Sequence, residues 1–175
     1  MKIRFLGAAR KVTGSCYHLL TDGTQIIVDC GMNQGRNSDA LNREPFKFQP
    51  EQIESLLLTH AHLDHSGLIP KLVAEGFKGR ILCTSATAEL AEILLYDSAH
   101  IQEKDAEWLT KKSFREGKDI TYEPLYDTEG AKKAIPFFDT SGTVISAANW
   151  VGWLWPTQRH LKPIENRPAA IKRLQ

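Results

Sequence analysis

Lys2-Ile3-Arg4-Phe5-Leu6 alternates polar and apolar positions, the two-residue period of a strand. Residues 7–15 are small and polar and read as a loop. Cys16 to Leu20 and Thr24 to Val28 are two more strands, and Asp22-Gly23 between them is a strong hairpin signal. Asn33 to Pro50 is polar, carries two prolines and predicts loop. Gln52 to Leu58 returns to an apolar run. Ser66 is placed to cap a helix from Gly67 to about Glu75. Gly79 to Cys83 predicts a short strand. A long helix follows, capped by Thr84 or Ser85 and running to about Ser113, with the Thr87-Ala88 region a point of weakness. Leu90, Ile93, Leu94, Ile101, Trp108 and Leu109 give it an apolar stripe. Thr128 is placed to cap a last helix, Glu129 to about Ile135, closed by Pro136. The expected class is α/β.

The pattern changes near residue 139. Trp150, Trp153 and Trp155 fall within six positions, prolines and basic residues follow, and no core-forming period remains. We therefore divide the chain into 1–138 and an atypical tail, 139–175.

Candidate chemistry concentrates at Thr59-His60-Ala61-His62-Leu63-Asp64-His65-Ser66-Gly67. Three histidines and an aspartate lie within six residues, between an expected strand and an expected helix. Imidazole and carboxylate are donors that zinc accepts. In extended chain His60 and His62 point the same way and could grip one ion, while Asp64 and His65 fall past the turn. Asp29 ends an apolar strand beside Gly31. Such a carboxylate either steadies a neighbouring histidine ligand or caps its own turn.

His-Ala-His-Leu-Asp-His resembles the HxHxDH signature of the metallo-β-lactamase superfamily. Phe5-Leu6-Gly7-Ala8-Ala9, Val12-Thr13-Gly14-Ser15, Val28-Asp29-Cys30-Gly31, Gln34-Gly35, Ser98-Ala99-His100-Ile101-Gln102-Glu103 and Tyr122-Glu123-Pro124-Leu125-Tyr126 are similar to its β-CASP branch, whose members process RNA or, less often, DNA. The resemblance runs from Met1 to about Phe138. It implies an αββα sandwich, of which this chain is expected to supply an incomplete N-terminal portion running into the start of a β-CASP insertion. It also implies two Zn2+ ions, His60 and His62 binding the first, Asp64 and His65 the second. Asp64 would also orient the attacking hydroxide, and Asp29 would support a histidine. Arg10 and Lys11 become possible phosphate contacts, as does Lys71, with solvated surface charge as the plainer role. The implied substrate is single-stranded RNA.

The same resemblance demands further ligands downstream. A Gly-His-x-Leu-Gly-Ser-like motif is due near residues 139–150, and this sequence has no histidine there. Of the other histidines, His18 and His160 read as non-ligands and His100 as structural or groove-lining. Pairing the last base of each codon from Gly142 with the first two of the next permits His-Gly-His-Leu-Gly-Ser-Glu. A tail translated out of frame is therefore one expectation, beside a lineage-specific or engineered end.

Charge and cysteine content add limits. Residues 139–175 carry five Lys/Arg and two Asp/Glu, so residues 1–138 carry 17 and 19 of the chain's totals. Composition alone does not announce nucleic acid. Three widely spaced cysteines fit free thiols in a reducing compartment. No apolar run approaches the ~20 residues of a membrane span, and no signal peptide is evident, so the expected location is the cytoplasm. Three functions compete: an RNA phosphodiesterase, a hydrolase of a small ester, thioester or lactam, and a non-catalytic truncated product.

Overall fold

The computed structural model describes residues 1–21, 23–36 and 38–140. Six strands form one mixed sheet in sequence order: β1 (Lys2–Phe5), β2 (Tyr17–Thr21), β3 (Thr24–Val28), β4 (Ser55–Leu57), β5 (Arg80–Leu82) and β6 (Phe138–Asp139). The first three pair antiparallel and the last three join in parallel. The β2–β3 hairpin closes where Asp22-Gly23 predicts it, with Thr21 opposite Thr24 and Gly23 at φ +92°. Parallel neighbours need crossovers, and helices supply them: α1 (Ser38–Arg43), α2 (Leu63–Ser66), α3 (Ile69–Ala74), α4 (Ser85–Arg115) and α5 (Thr128–Ala134).

Register decides which side chains meet. Ile27, Leu56, Ile81 and Phe138 stand in one row across β3 to β6. The first three are fully buried and join Ile69, Leu72 and Phe77 in the core. Each such side chain stabilises the fold by ~1.5–3 kcal/mol relative to exposure. The opposite row reads Phe5, Tyr17, Val28, Leu57 and Leu82. All five are only partly buried or exposed, so this apolar face is uncovered by the described residues.

Several expected boundaries move. The stretch Asn33 to Pro50 is not all loop: it holds α1, pinned by buried Asn42, whose side chain accepts from Asn33 N at 2.7 Å and donates to Asn33 O at 3.0 Å. Ser66 does not cap a helix from Gly67. It ends α2, and its hydroxyl donates to the carbonyls of Ala61 and His62, at 2.8 and 3.1 Å. Thr84 does cap α4, accepting from Thr87 N, and the helix runs unbroken through Thr87-Ala88. Asp127, not Thr128, caps α5 by accepting from Gly130 N at 2.7 Å. The shorter, charged acceptor one residue earlier wins the position. Lys71 is neither a phosphate contact nor a solvated charge: it is buried, donating to Glu44 O at 2.8 Å, paired with Glu75 and lying over the Phe46 ring. No helix among the described residues is long and apolar enough to cross a membrane.

His18 faces the helices from β2 and is 1% exposed. Its Nε2 lies 3.0 Å from Gln25 Oε1, and its ring tilts against Phe48. Nδ1 has no partner. Burial lowers its pKa, the Gln25 contact opposes that, and Arg4 adds to the lowering. The folded state therefore binds fewer protons than the unfolded chain. Its contribution is complete above the unfolded value of ~6.5 and is lost as pH falls below it. Urea unfolding from pH 8 to pH 5 should show a stability plateau and then a decline, shallower in His18→Gln.

Candidate active site

The histidine cluster sits at the C-terminal ends of the parallel strands, where α/β sheets place their ligands. Asp29 follows β3 directly, at φ +58°, a left-handed conformation that aspartate tolerates better than most residues. This bend turns a buried carboxylate toward the loop after β4. Asp29 Oδ1 accepts from Thr59 N and Thr59 Oγ1, both at 2.9 Å. Oδ2 accepts from Ser15 Oγ at 3.3 Å and lies 2.8 Å from His65 Nδ1. A carboxylate on that side makes Nδ1 the protonated nitrogen, leaving the Nε2 lone pair free to bind.

The backbone locks the two loops together. Ser15 N donates to Asp64 O, Cys30 N to His65 O, Met32 N to Leu63 O and Leu68 N to Cys30 O, all within 2.8–2.9 Å. Gly31 lies so close to the Asp64 carbonyl that any Cβ there would collide with it and crowd Ser15 N. α2 starts at Leu63 with His62 in the capping position, so the loop becomes helix in the middle of the motif.

The rings gather. His60 and His62 have centroids 4.8 Å apart, His60 and His65 3.9 Å. Asp64 Oδ2 lies 3.6 Å from His65 Nε2. Burial, then the adjoining His65 and His62, lower the pKa of His60 and favour its neutral, donor form. The donor types suit zinc. Among the described residues, however, no three His, Cys, Asp or Glu side chains are arranged to hold an ion. The four side chains are neighbours rather than a formed coordination sphere, the His60 and His65 rings being in contact at a 48° tilt.

The chain belongs to the metallo-beta-lactamase superfamily. Its family profile matches residues 9–146, which is most of the chain and runs past the limit of about Phe138 set by the resemblance. Ribonuclease TTHA0252 of Thermus thermophilus is 47% identical over 104 residues, covering 59% of this chain and 24% of that protein. Transcription termination factor FttA of Methanosarcina mazei is 34% identical over 141 residues, covering 78% and 20%. Probable RNase MJ4 of Methanocaldococcus jannaschii is 31% identical over 105 residues, covering 60% and 24%. The chain thus spans a fifth to a quarter of these relatives. Among solved structures, a Cronobacter sakazakii metallo-beta-lactamase with a HARLDQ motif aligns over 50% of this chain and 30% of its own, at 27% identity and a TM-score of 0.37. The superfamily fold, incomplete here, agrees with the mixed sheet and its helices.

Other candidates separate from the cluster. Arg10 and Lys11 are exposed on the first loop, Arg10 at φ +61°, and Lys11 borders a 140 Å3 cavity with Cys16 and Cys30. Neither shares a hydrogen bond or ion pair with the histidines among the described residues. His100 is exposed on α4, and His160 and the residues due to hold the downstream motif lie outside the described residues. All three cysteines are free, and burial pushes the Cys16 thiol up to about 12. A 690 Å3 cleft between α3 and α5 shares no residue with the cluster and holds no comparable chemistry.

Ser15 and Thr59 were not singled out as site residues. Thr59 adjoins His60 in sequence and Ser15 lies in the small-residue first loop, but only the folded contacts reveal what they bind.

Asp29→Ala should cost about 2–4 kcal/mol in urea unfolding, because Thr59 N and His65 Nδ1 lose their acceptor together. Asp29→Asn, which keeps one acceptor oxygen, should cost less.

Proposed function

We propose that this chain carries the leading part of a cytoplasmic, zinc-dependent phosphodiesterase of the β-CASP type, acting on single-stranded RNA. The observation that supports this reading best is the buried Asp29 carboxylate on the Nδ1 side of His65, beside the imidazoles of His60 and His62. The names of the relatives, a ribonuclease and a transcription termination factor, support RNA over a small ester. His60 and His62 would hold one zinc ion, Asp64 and His65 a second. Zinc, when bound, lowers the pKa of water to about 7 and neutralises charge on phosphate oxygens.

The protein's own work is orientation. Asp29 fixes the tautomer and plane of His65, and Thr59 holds Asp29 from its other side. Asp64 presents an acceptor next to His65 Nε2, where it would take a hydrogen bond from the attacking water. Arg10 and Lys11, exposed on the first loop, would meet the phosphate backbone. Four donors are too few for two ions, since a catalytic zinc normally has three protein ligands. The reading therefore requires further ligands from beyond residue 140 or from a partner.

Zinc affinity measured by chelator competition should fall at least about tenfold in His65→Ala. The chain alone should cleave labelled single-stranded RNA weakly or not at all. A form extended to include the remaining ligands should cleave it, and its His65→Ala variant should not. Turnover of small esters by that extended form, with RNA left intact, overturns the RNA assignment.

A further inference from the structure

α4 is 31 residues long, about 46 Å of helix. One side is buried through Ala91, Leu95, Ser98, Ala99, Ala106 and Ser113. The opposite side carries Leu90, Ile93, Asp97, Ile101, Lys104 and Trp108 at intervals of three or four, so all six share one stripe. Every one of them is exposed, Ile93 at 64%, Ile101 at 52% and Trp108 at 59%. Such an apolar stripe on a helix surface calls for a partner.

The order of residues along the stripe identifies that partner. It is self-complementary about the point between His100 and Ile101. Reversed, the stripe sets Ile93 against Trp108, Asp97 against Lys104, and Leu90 against Lys111, whose methylene stem covers apolar surface. Asp97 has no ion-pair partner among the described residues. Among the described residues Lys104 pairs only within its own helix, 3.3 Å from Glu107 with both side chains more than half exposed. Lys112 lies over the Trp108 ring, 5.2 Å from its centroid, at the stripe's border.

We infer that α4 pairs with α4 of a second copy of this chain, antiparallel, about a two-fold axis passing between His100 and Ile101. Such an interface is isologous, so each favourable contact occurs twice. Antiparallel helices also oppose their macrodipoles favourably. One helix pair lies at the small end of specific interfaces, which fits a dissociation constant on the order of tens of micromolar. The inference is independent of the zinc reading, because no residue of the stripe belongs to the histidine site.

Sedimentation equilibrium of the intact chain tests this. The expected result is a reversible dimer of twice the 19.7 kDa chain mass. Asp97→Lys alone and Lys104→Asp alone should each weaken it about tenfold or more, since each sets like charges opposite one another at two symmetric places. The double variant Asp97→Lys/Lys104→Asp should restore it. These positions are exposed on a helix, so the fold should survive, as circular dichroism can check. Phe5→Lys, on the uncovered sheet face, should leave the dimer intact. A monomer at all concentrations overturns the inference. So does a dimer indifferent to the single reversals, a double variant that stays monomeric, or a dimer abolished by Phe5→Lys.

Discussion

One buried carboxylate sets the geometry of the candidate site. Asp29 is 2% exposed and takes up Ser15 from the first loop and Thr59 and His65 from the histidine motif, so that with its own strand end three stretches of chain meet. A carboxylate so deprived of water is costly unless hydrogen-bonded, and here the bonds are supplied by the segments that must be brought together. Its left-handed backbone turns the chain at the end of β3, and Gly31 lets the next loop lie against the Asp64 carbonyl. The site is thus built by the sheet's strand ends and tied by a single anion, with the backbone bonds of 15, 30, 32 and 68 as a second layer of restraint.

Much of this was legible in the sequence because local signals and tertiary fate agreed. The Asp22-Gly23 hairpin, the apolar run into β4 and the Thr84 cap all depend on neighbours in the chain. The histidine motif was equally plain as a string of donors. Two kinds of feature were not. Ser66 has the chemistry of a cap, but its hydroxyl found carbonyls behind it once α2 formed across the motif. Lys71 looked like solvent charge, and only the arrival of the Glu44 carbonyl and the Phe46 ring from another segment, beside the local pair with Glu75, makes its burial tolerable. Ser15 and Thr59 stayed silent for the same reason: a hydroxyl declares no role until its acceptor is in place.

The uncovered row of Phe5, Tyr17, Val28, Leu57 and Leu82 bears on the same division. A strand pattern gives alternation but not which face is covered. In β3 and β4 both faces are apolar, as expected of sheet interiors layered on each side. The described residues supply helices to one layer only.

The sheet's connectivity also carries a cost in time. β5 finds its outer neighbour only when Ile81 meets Phe138, 57 positions later, after α4 and α5 have been made. At ribosomal rates of ~5–20 residues per second, that leaves β5 with an open edge for about 3–11 s of synthesis. During that interval α4 can coil on its own local bonds, since helix formation takes about a microsecond. The strand cannot close early. The nascent chain therefore leaves the ribosome with its longest helix complete and its sheet still unfinished, and an unpaired strand edge is the hazard it must survive.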